Sequence, residues 1–262
     1  PALKQADIGV AMGITGTDVS KEAAEMVLLD DNFASIERAV EEGRTVFNNL
    51  KKTIVFILPT NGGECLTLVA ALLLGVLLPI LPLHILWINL VTTVALAITL
   101  AFDPVERDIM QQPRRYPLSA LIAPRLAWRI SLVSALLALG TSSLFFYERQ
   151  LGSSLEVARS VAVNAIVFFE VAYLFNCRHL TDSVLNRHGF LGNQVVWWGV
   201  AAVVAFQLVF TYWPVMNALF HVAPLDAWMW LRVLAASLLL LLLVELEKSL
   251  SRKLAARTSG TL

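Results

Sequence analysis

One carboxylate, Glu64, lies inside a long apolar run, at the end of the segment PTNGGE at residues 59–64. An ionisable residue near the centre of a bilayer costs about 2.5 to 3.5 kcal/mol on insertion scales, so it is by default a functional group with a partner. Asn61 lies three residues earlier on the same helical face and offers one partner. We therefore expect Glu64 to take part in binding rather than only in packing.

The next apolar run carries a second polar group, in the segment NLVTT at residues 89–93. Its members share one helical face at spacings of three and four: Asn89, Thr92 and Thr93. Two polar faces at matching depth predict an ion site between two helices. The alternative is that these side chains only join neighbouring spans through hydrogen bonds worth about 1 kcal/mol each.

A third contributor is Glu170, which lies in a later apolar run directly after Phe168 and Phe169. Its alternative role is a structural pair, or a side chain that extends to the membrane surface. Together these residues would form a cage of carboxylate, amide and hydroxyl oxygens. All-oxygen ligation favours hard cations, whereas soft metals prefer thiolates or imidazoles. A pair of carboxylates also leaves protons as transported or counter-transported ions.

The helix that carries Glu64 also contains residues that weaken a helix, Pro59, Gly62 and Gly63. Proline lacks an N–H group, so carbonyls near residues 55–60 are expected to lose their partners. Transporters use interrupted helices to coordinate ions near the bilayer midplane. A packing kink is the alternative, but the adjacent carboxylate favours an interrupted helix whose carbonyls line a cavity.

The composition places the chain among membrane proteins, because 57% of its 262 residues are hydrophobic and only 15% are charged. Lys plus Arg and Asp plus Glu both total 20, and the absence of a dense basic run argues against a nucleic-acid partner. Cys65 and Cys177 stand in no CxxC pattern, which argues against a disulfide framework or a zinc site. Because the chain starts at Pro1 without Met, we expect an upstream portion.

The first 32 residues have the character of a soluble α/β unit. Ile8–Gly13 (IGVAMG) is a short apolar run that predicts a buried strand, and Met26–Asp31 (MVLLDD) predicts a second one. Between them we expect a short helix that is capped by Thr17 or Asp18 and ends near Glu25. Two such strands do not form a stable domain alone, so this unit is predicted to continue upstream.

A long helix is predicted from Phe33, capped by Asp31 or Asn32. It is amphipathic up to Lys52 and wholly apolar afterwards, as expected for a stalk that enters a membrane. A continuous helix of about 40 residues would be about 60 Å long. Hydropathy predicts six spans, at residues 53–78, 83–102, 126–147, 158–177, 194–214 and 228–247.

The positive charges are distributed asymmetrically between the predicted loops. The loops opposite the stalk carry only Arg149 and Arg159. The stalk side carries ten, namely Arg107, Arg114, Arg115, Arg125, Arg178, Arg187, Lys248, Arg252, Lys253 and Arg257. The positive-inside rule therefore predicts that the N and C termini are both cytoplasmic.

The segment PALKQADIGVAMGITGTDVSKEAAEMVLLDDNFASIERAVEEGRTVFNNLKK resembles the end of the phosphorylation domain and the stalk of P-type cation-transporting ATPases, in the branch that includes calcium and sodium/potassium pumps. The six spans resemble the last six of that family's membrane domain, and FDPVERDIMQQPRR (residues 102–115) resembles its coupling loop. The resemblance implies a mainly α, polytopic membrane protein. Its parts would be a small α/β (HAD-like) phosphorylation-domain remnant (1–32), a helical stalk (33–52), a six-helix transmembrane domain (53–247) and a cytoplasmic tail (248–262).

The resemblance also implies a set of metal ligands on the family's fifth, sixth and eighth helices. These are Asn61, Glu64, Asn89, Thr92 and Glu170. One position departs from the pattern, because calcium pumps have an aspartate after NLVT where this chain has Thr93. We include Thr93 in the predicted cation site. Its hydroxyl is compatible with one divalent ion, a monovalent ion or a proton, rather than two calcium ions.

For the complete protein the resemblance implies ATP and Mg²⁺, bound by upstream domains of the same chain. The transported cation would be Ca²⁺, another divalent ion, Na⁺, K⁺ or H⁺. The expected location is a plasma (inner) membrane of bacterial type, with the lipid bilayer and the N-terminal domains as partners.

The sequence lacks the DKTGT segment that holds the family's phosphorylated aspartate, so we expect these 262 residues alone to hydrolyse no ATP. The predicted function is the ion-binding transmembrane portion of an ATP-driven cation pump. The alternative is a truncated, non-catalytic membrane module that binds a cation without ATP hydrolysis. A secondary transporter is less favoured because the sequence shows no inverted repeat.

Overall fold

The computed structural model describes residues 1–105, 109–111, 124–178 and 192–259. Residues 106–108 and 112–115 of the predicted coupling loop, and residues 260–262 of the predicted tail, lie outside the described residues. The chain divides into two compact units. The first comprises Pro1–Asn48 and Val105–Arg114, and the second comprises Asn49–Pro104 and Arg115–Leu262.

The first unit begins with a small sheet between short helices. Its elements in order are α1 (Ala2–Gln5), β1 (Val10–Met12), α2 (Asp18–Ala23) and β2 (Met26–Leu28). The strands are parallel, with Val10 opposite Met26. The side chain of Thr17 accepts a hydrogen bond from the Ser20 N–H and caps α2, as predicted. Both predicted strands are present, while the HAD-like assignment of this sheet stays a prediction.

The loop after β1 is fixed by Asp31, which lies beyond the end of β2. Its carboxylate accepts hydrogen bonds from the Ile14 N–H at 2.8 Å and from the N–H and hydroxyl of Thr15, both at 2.7 Å. These bonds stabilise the charged form and hold the pKa of Asp31 below its usual range, the Ile14 bond contributing most. The short sheet is therefore held together in part by a surface carboxylate.

The longest helix, α3 (Ala34–Leu74), has 41 residues. It begins where the Asn32 side chain accepts a hydrogen bond from the Ala34 N–H, so Asn32 is the predicted cap that the structure uses. The prediction of an interrupted helix is wrong, because α3 continues as α-helix through Pro59 and both glycines. The length agrees with the continuous stalk and span that the sequence predicts.

The second unit continues with α4 (Pro82–Thr92), a π-helical turn (Thr93–Ala97) and α5 (Ile98–Ala101), which together form one span. The remaining helices are α6 (Pro124–Gln150), α7 (Leu155–Arg178), α8 (Gln194–Tyr212), α9 (Pro214–Phe220) and α10 (Ala227–Ser259). Six helices of the described chain are long and apolar enough to cross a membrane, which agrees with the predicted polytopic, mainly helical fold. The last of them extends to Ser259, beyond the predicted end of the span at residue 247.

Helix α7 lies at the centre of the helical bundle. Almost all of its side chains from Ala158 onward are buried, including Phe169, Tyr173 and Cys177. By contrast, α6, α8 and α10 expose large apolar side chains on their outer faces, as expected for helices in lipid. Glu170 therefore lies on the most enclosed helix of the bundle.

Asp103 joins several helices at the end of the bundle where α7 terminates. Its carboxylate lies 3.0 Å from the Lys52 ammonium of α3 and 3.1 Å from the Arg178 guanidinium of α7. Asn193, which caps α8, donates from its amide to the same carboxylate at 3.3 Å. All three charged side chains are at most 4% exposed. Asp103, two residues after the end of α5, thus joins the ends of α3, α7 and α8.

Candidate cation site

The centre of the candidate site is a contact between α3 and α4. The amide of Asn89 donates to Glu64 Oε2 at 2.7 Å and to the Ile85 carbonyl at 3.2 Å. The Thr93 hydroxyl donates to Asn89 Oδ1 at 3.4 Å, which fixes the orientation of the amide. Asn89 therefore presents its N–H₂ group to Glu64 and its oxygen to Thr93.

A third helix, α7, contributes Glu170 to the same place. The Glu170 carboxyl interacts with the Thr92 hydroxyl and lies near enough to Glu64 for the two charges to interact. Glu64, Thr92 and Glu170 are all at most 3% exposed. The Thr92 hydroxyl donates to the Ile88 carbonyl at 2.9 Å, so its own lone pairs remain as acceptors. The structure thus brings together four of the six predicted site residues, namely Glu64, Asn89, Thr92 and Glu170.

The carboxylates of this site are incompletely hydrogen-bonded. Among the described residues, Glu64 Oε1 and Glu170 Oε2 are buried and have no hydrogen-bond partner. A buried polar atom without a partner is rare and calls for an explanation such as an ion or a proton. Among the described residues, no group of three or more His, Cys, Asp or Glu side chains is arranged to hold a metal ion. The available donors are therefore a pair of carboxylates with neutral oxygens, a set suited to a hard cation.

The two other predicted residues, Asn61 and Thr93, lie less centrally. Asn61 is exposed although Glu64, three residues later on α3, is buried. No hydrogen bond within the described part of the chain joins Asn61 to the site, so its role as a ligand stays a prediction. Thr93 is half-buried and contacts the site through Asn89.

A π-helical turn, Thr93–Ala97, begins directly after Thr92. Such turns are rare in helices and are frequent at functional sites. Helix α8 approaches this turn through Gly199, where an added Cβ would lie 2.6 Å from the Ala95 carbonyl oxygen. We found no sequence signal that predicts this turn, since NLVTTVALA contains neither proline nor glycine.

Two further residues, Tyr173 and Ser134, contact the site helix at its proline. The Tyr173 hydroxyl donates to the Val55 carbonyl and the Ser134 hydroxyl donates to the Pro59 carbonyl, both at 3.0 Å. Neither residue was predicted from the sequence. The only available signal was the position of Val55, four residues before Pro59, which predicts that the Val55 carbonyl needs an outside donor.

Comparison with known proteins gives consistent matches. Residues 77–250 match the family described as "Cation transporting ATPase, C-terminus". The chain is 48% identical over 252 residues to "Probable cation-transporting ATPase F" of Mycobacterium tuberculosis, covering 96% of this chain and 28% of that protein. It is 43% identical over 235 residues to "Cation-transporting ATPase pma1" of Synechocystis sp., covering 88% of this chain and 26% of that protein.

A relative of named ion specificity also matches. The chain is 38% identical over 239 residues to "Calcium-transporting ATPase" of Bacillus subtilis, covering 90% of this chain and 26% of that protein. The chain spans less than a third of the length of each of these relatives.

Proposed function

We propose that this chain is the ion-binding transmembrane portion of an ATP-driven cation pump. The proposal starts from its family, because the chain belongs to the P-type cation-transporting ATPases and corresponds to their C-terminal region. The observation that carries the proposal is the unpartnered oxygen on each of two buried carboxylates, Glu64 and Glu170. They lie on different helices with Asn89 and Thr92 beside them. This arrangement supplies anionic and neutral oxygens around one small volume.

We propose that the site takes one hard cation, with Ca²⁺ as the first candidate. Two carboxylates balance the charge of one divalent ion, and Ca²⁺ accepts flexible sets of carboxylate, amide and hydroxyl oxygens. At position 93 the chain has a threonine hydroxyl, which adds no negative charge. A carboxylate at this position would instead favour a second divalent ion. Another divalent ion, Na⁺, K⁺ and H⁺ are the competing outcomes of the experiment below.

Binding would require one local change at Asn89. Its amide nitrogen now faces Glu64, and an N–H₂ group does not ligate a cation. Rotation of the amide by about 180° would direct Oδ1 to the ion and leave the N–H₂ group toward Thr93, whose hydroxyl is able to accept as well as donate. Thr92 would ligate the ion with its free lone pairs while it continues to donate to Ile88.

The remaining parts of the proposal concern the longer protein. ATP and Mg²⁺ would be bound by upstream domains, residues 1–32 would be the end of the phosphorylation domain, and residues 33–52 would be the stalk. Since α3 is one helix from Ala34 to Leu74, a movement of its stalk would reach Glu64 without a break. The six-helix domain would end at residue 247 and the tail would follow. We place the protein in a bacterial-type plasma membrane with both termini cytoplasmic.

The test is cation-stimulated ATP hydrolysis by the full-length protein in reconstituted membranes. We expect one cation of a panel to stimulate hydrolysis, and Glu64→Gln to raise its half-maximal concentration on the order of tenfold or more, because a charged ligand contributes about 1.5 to 3 kcal/mol. The matched control is Glu156→Gln, an exposed carboxylate at the start of α7.

Two outcomes would contradict the proposal. Unchanged activation in Glu64→Gln would remove Glu64 from the site. Cation binding without any ATP hydrolysis would replace the pump by a non-catalytic binding module.

A further inference from the structure

The proline of α3 leaves one backbone carbonyl without its normal partner. In an α-helix the carbonyl of residue i accepts from the N–H of residue i+4, and Pro59 has no N–H. The carbonyl affected is that of Val55, which is fully buried. Because the helix continues unbroken through Pro59, this carbonyl stays inside the bundle, away from water. A buried carbonyl in that position needs a donor from elsewhere.

That donor comes from α7. The Tyr173 hydroxyl donates to the Val55 oxygen at 3.0 Å, and the Tyr173 ring is stacked on Phe56 with ring centroids 6.3 Å apart. Tyr173 is 1% exposed, so water does not compete for the bond. The contact therefore replaces a hydrogen bond within one helix by a hydrogen bond between two helices.

The two helices joined by this bond are those that carry the carboxylates of the site. Tyr173 lies three residues after Glu170, one turn along the same face of α7. Val55 and Pro59 lie on α3 in the turns that precede Glu64. The Ser134 bond to the Pro59 carbonyl ties the same turns to α6.

We propose that Tyr173 is a positioning residue: its hydroxyl supplies the hydrogen bond that Pro59 withholds from α3, and so holds the helix of Glu64 against the helix of Glu170. The consequence for ion binding rests on the proposed function, whereas the link between the proline and the tyrosine does not. Tyr173 touches no ion in this role. It sets the distance between the carboxylates that do.

The test compares four forms of the full-length protein in membranes: the wild type, Tyr173→Phe, Pro59→Ala and the double variant. The measurement is the rate at which dicyclohexylcarbodiimide modifies Glu64 and Glu170, followed by mass spectrometry without added cation. We expect Tyr173→Phe to raise the rate on the order of tenfold, as the loss of one buried hydrogen bond loosens a local closed state. In Pro59→Ala the Val55 carbonyl has its own intrahelical donor, so the added Tyr173→Phe change should have little effect.

Tyr212→Phe is the matched control. The Tyr212 hydroxyl also donates to a backbone carbonyl, that of Leu225, at 2.9 Å. Leu225 lies before the first residue of α10, so this bond does not replace a helical hydrogen bond that a proline removes. We expect Tyr212→Phe to leave the modification of both glutamates unchanged.

The outcomes separate the two proposals. An unchanged modification rate in Tyr173→Phe, or the same increase with and without Pro59, would overturn the positioning role. If Tyr173→Phe does not fold, folding of the double variant supports the proposal and its failure to fold contradicts it. Protection of the glutamates by added cation is scored separately, because its absence in the wild type contradicts only the proposed function.

Discussion

Replacing Asp103 by Asn tests whether the buried ion pairs at one end of the bundle hold the helices together. The change keeps the shape of the side chain and removes its charge. In the wild type this carboxylate lies 3.0 Å from Lys52 and 3.1 Å from Arg178, with all three side chains at most 4% exposed. The substitution therefore leaves two buried cations without their shared anion.

The magnitude follows from that burial. Removing one partner of a buried pair costs about 3 to 5 kcal/mol, whereas an exposed pair is worth about 0 to 1 kcal/mol. We therefore expect Asp103→Asn to lower the free energy of unfolding by about 3 kcal/mol or more. A Lys52→Met change in the same chain removes one of the two cations, so we expect the two substitutions together to cost less than their sum.

The assay is denaturant-induced unfolding of the purified protein in mixed micelles, read from its helical circular dichroism. Asp226→Asn is the matched control, because Asp226 accepts from the Met229 N–H at the start of α10 and Asn caps a helix as well as Asp. We expect this control to lie within about 0.5 kcal/mol of the wild type. A loss below about 1 kcal/mol for Asp103→Asn would refute the reasoning, since it would mean that the pairs behave as solvated ones.

Two further predictions concern the helix contact at the site and the small sheet. Gly62→Ala should lower the free energy of unfolding by about 1 to 3 kcal/mol, because the added Cβ would overlap Ser134 Oγ. A combined Ser134→Ala change should recover part of this loss. An unchanged stability of Gly62→Ala would contradict the close packing of α3 against α6 at this position. Because hydrogen bonds lower the pKa of Asp31, its contribution is present above the unfolded pKa of about 3.9 and is lost as the pH falls through the lower folded pKa. The protection factors of the Ile14 and Thr15 amides, which are exchange rates normalised to the intrinsic rate at each pH, should therefore fall in Asp31→Asn at neutral pH but only under acidic conditions in the wild type. Equal protection in both proteins at neutral pH would exclude this anchor.

The spans were predictable because crossing a bilayer requires about 20 mostly apolar residues, and single polar residues do not remove that signal. The two strands and the Thr17 cap were predictable for a similar reason, since short apolar runs and capping residues act locally. For α3 the sequence predicted both a continuous helix of about 40 residues and an interruption near Pro59, and the helix is continuous. The donor to the Val55 carbonyl was not predictable, because Tyr173 is 118 residues away from Val55 in sequence.

The sequence predicted that the polar faces around Glu64 and Asn89 meet, and the structure contains that contact, while the assignment of these residues as ligands stays a prediction. Residue spacing placed Asn61 on the face of Glu64, yet positions three apart differ by about 60° around a helix. That difference allows one side chain to be exposed while the other is buried, as here. The ion pairs of Asp103 were also not predictable from the sequence, because Lys52 and Arg178 lie 51 and 75 residues away from it. Local patterns identify which side chains are unusual, and tertiary packing decides which of them meet.

The central claim is that Glu64 and Glu170 bind one cation between α3, α4 and α7. The most direct measurement is equilibrium binding of radioactive Ca²⁺ and competing cations to the purified full-length protein, compared with a Glu64→Gln/Glu170→Gln variant. We predict one bound ion per protein in the wild type and none in the variant at the same free concentration. Equal binding by both proteins would contradict the claim.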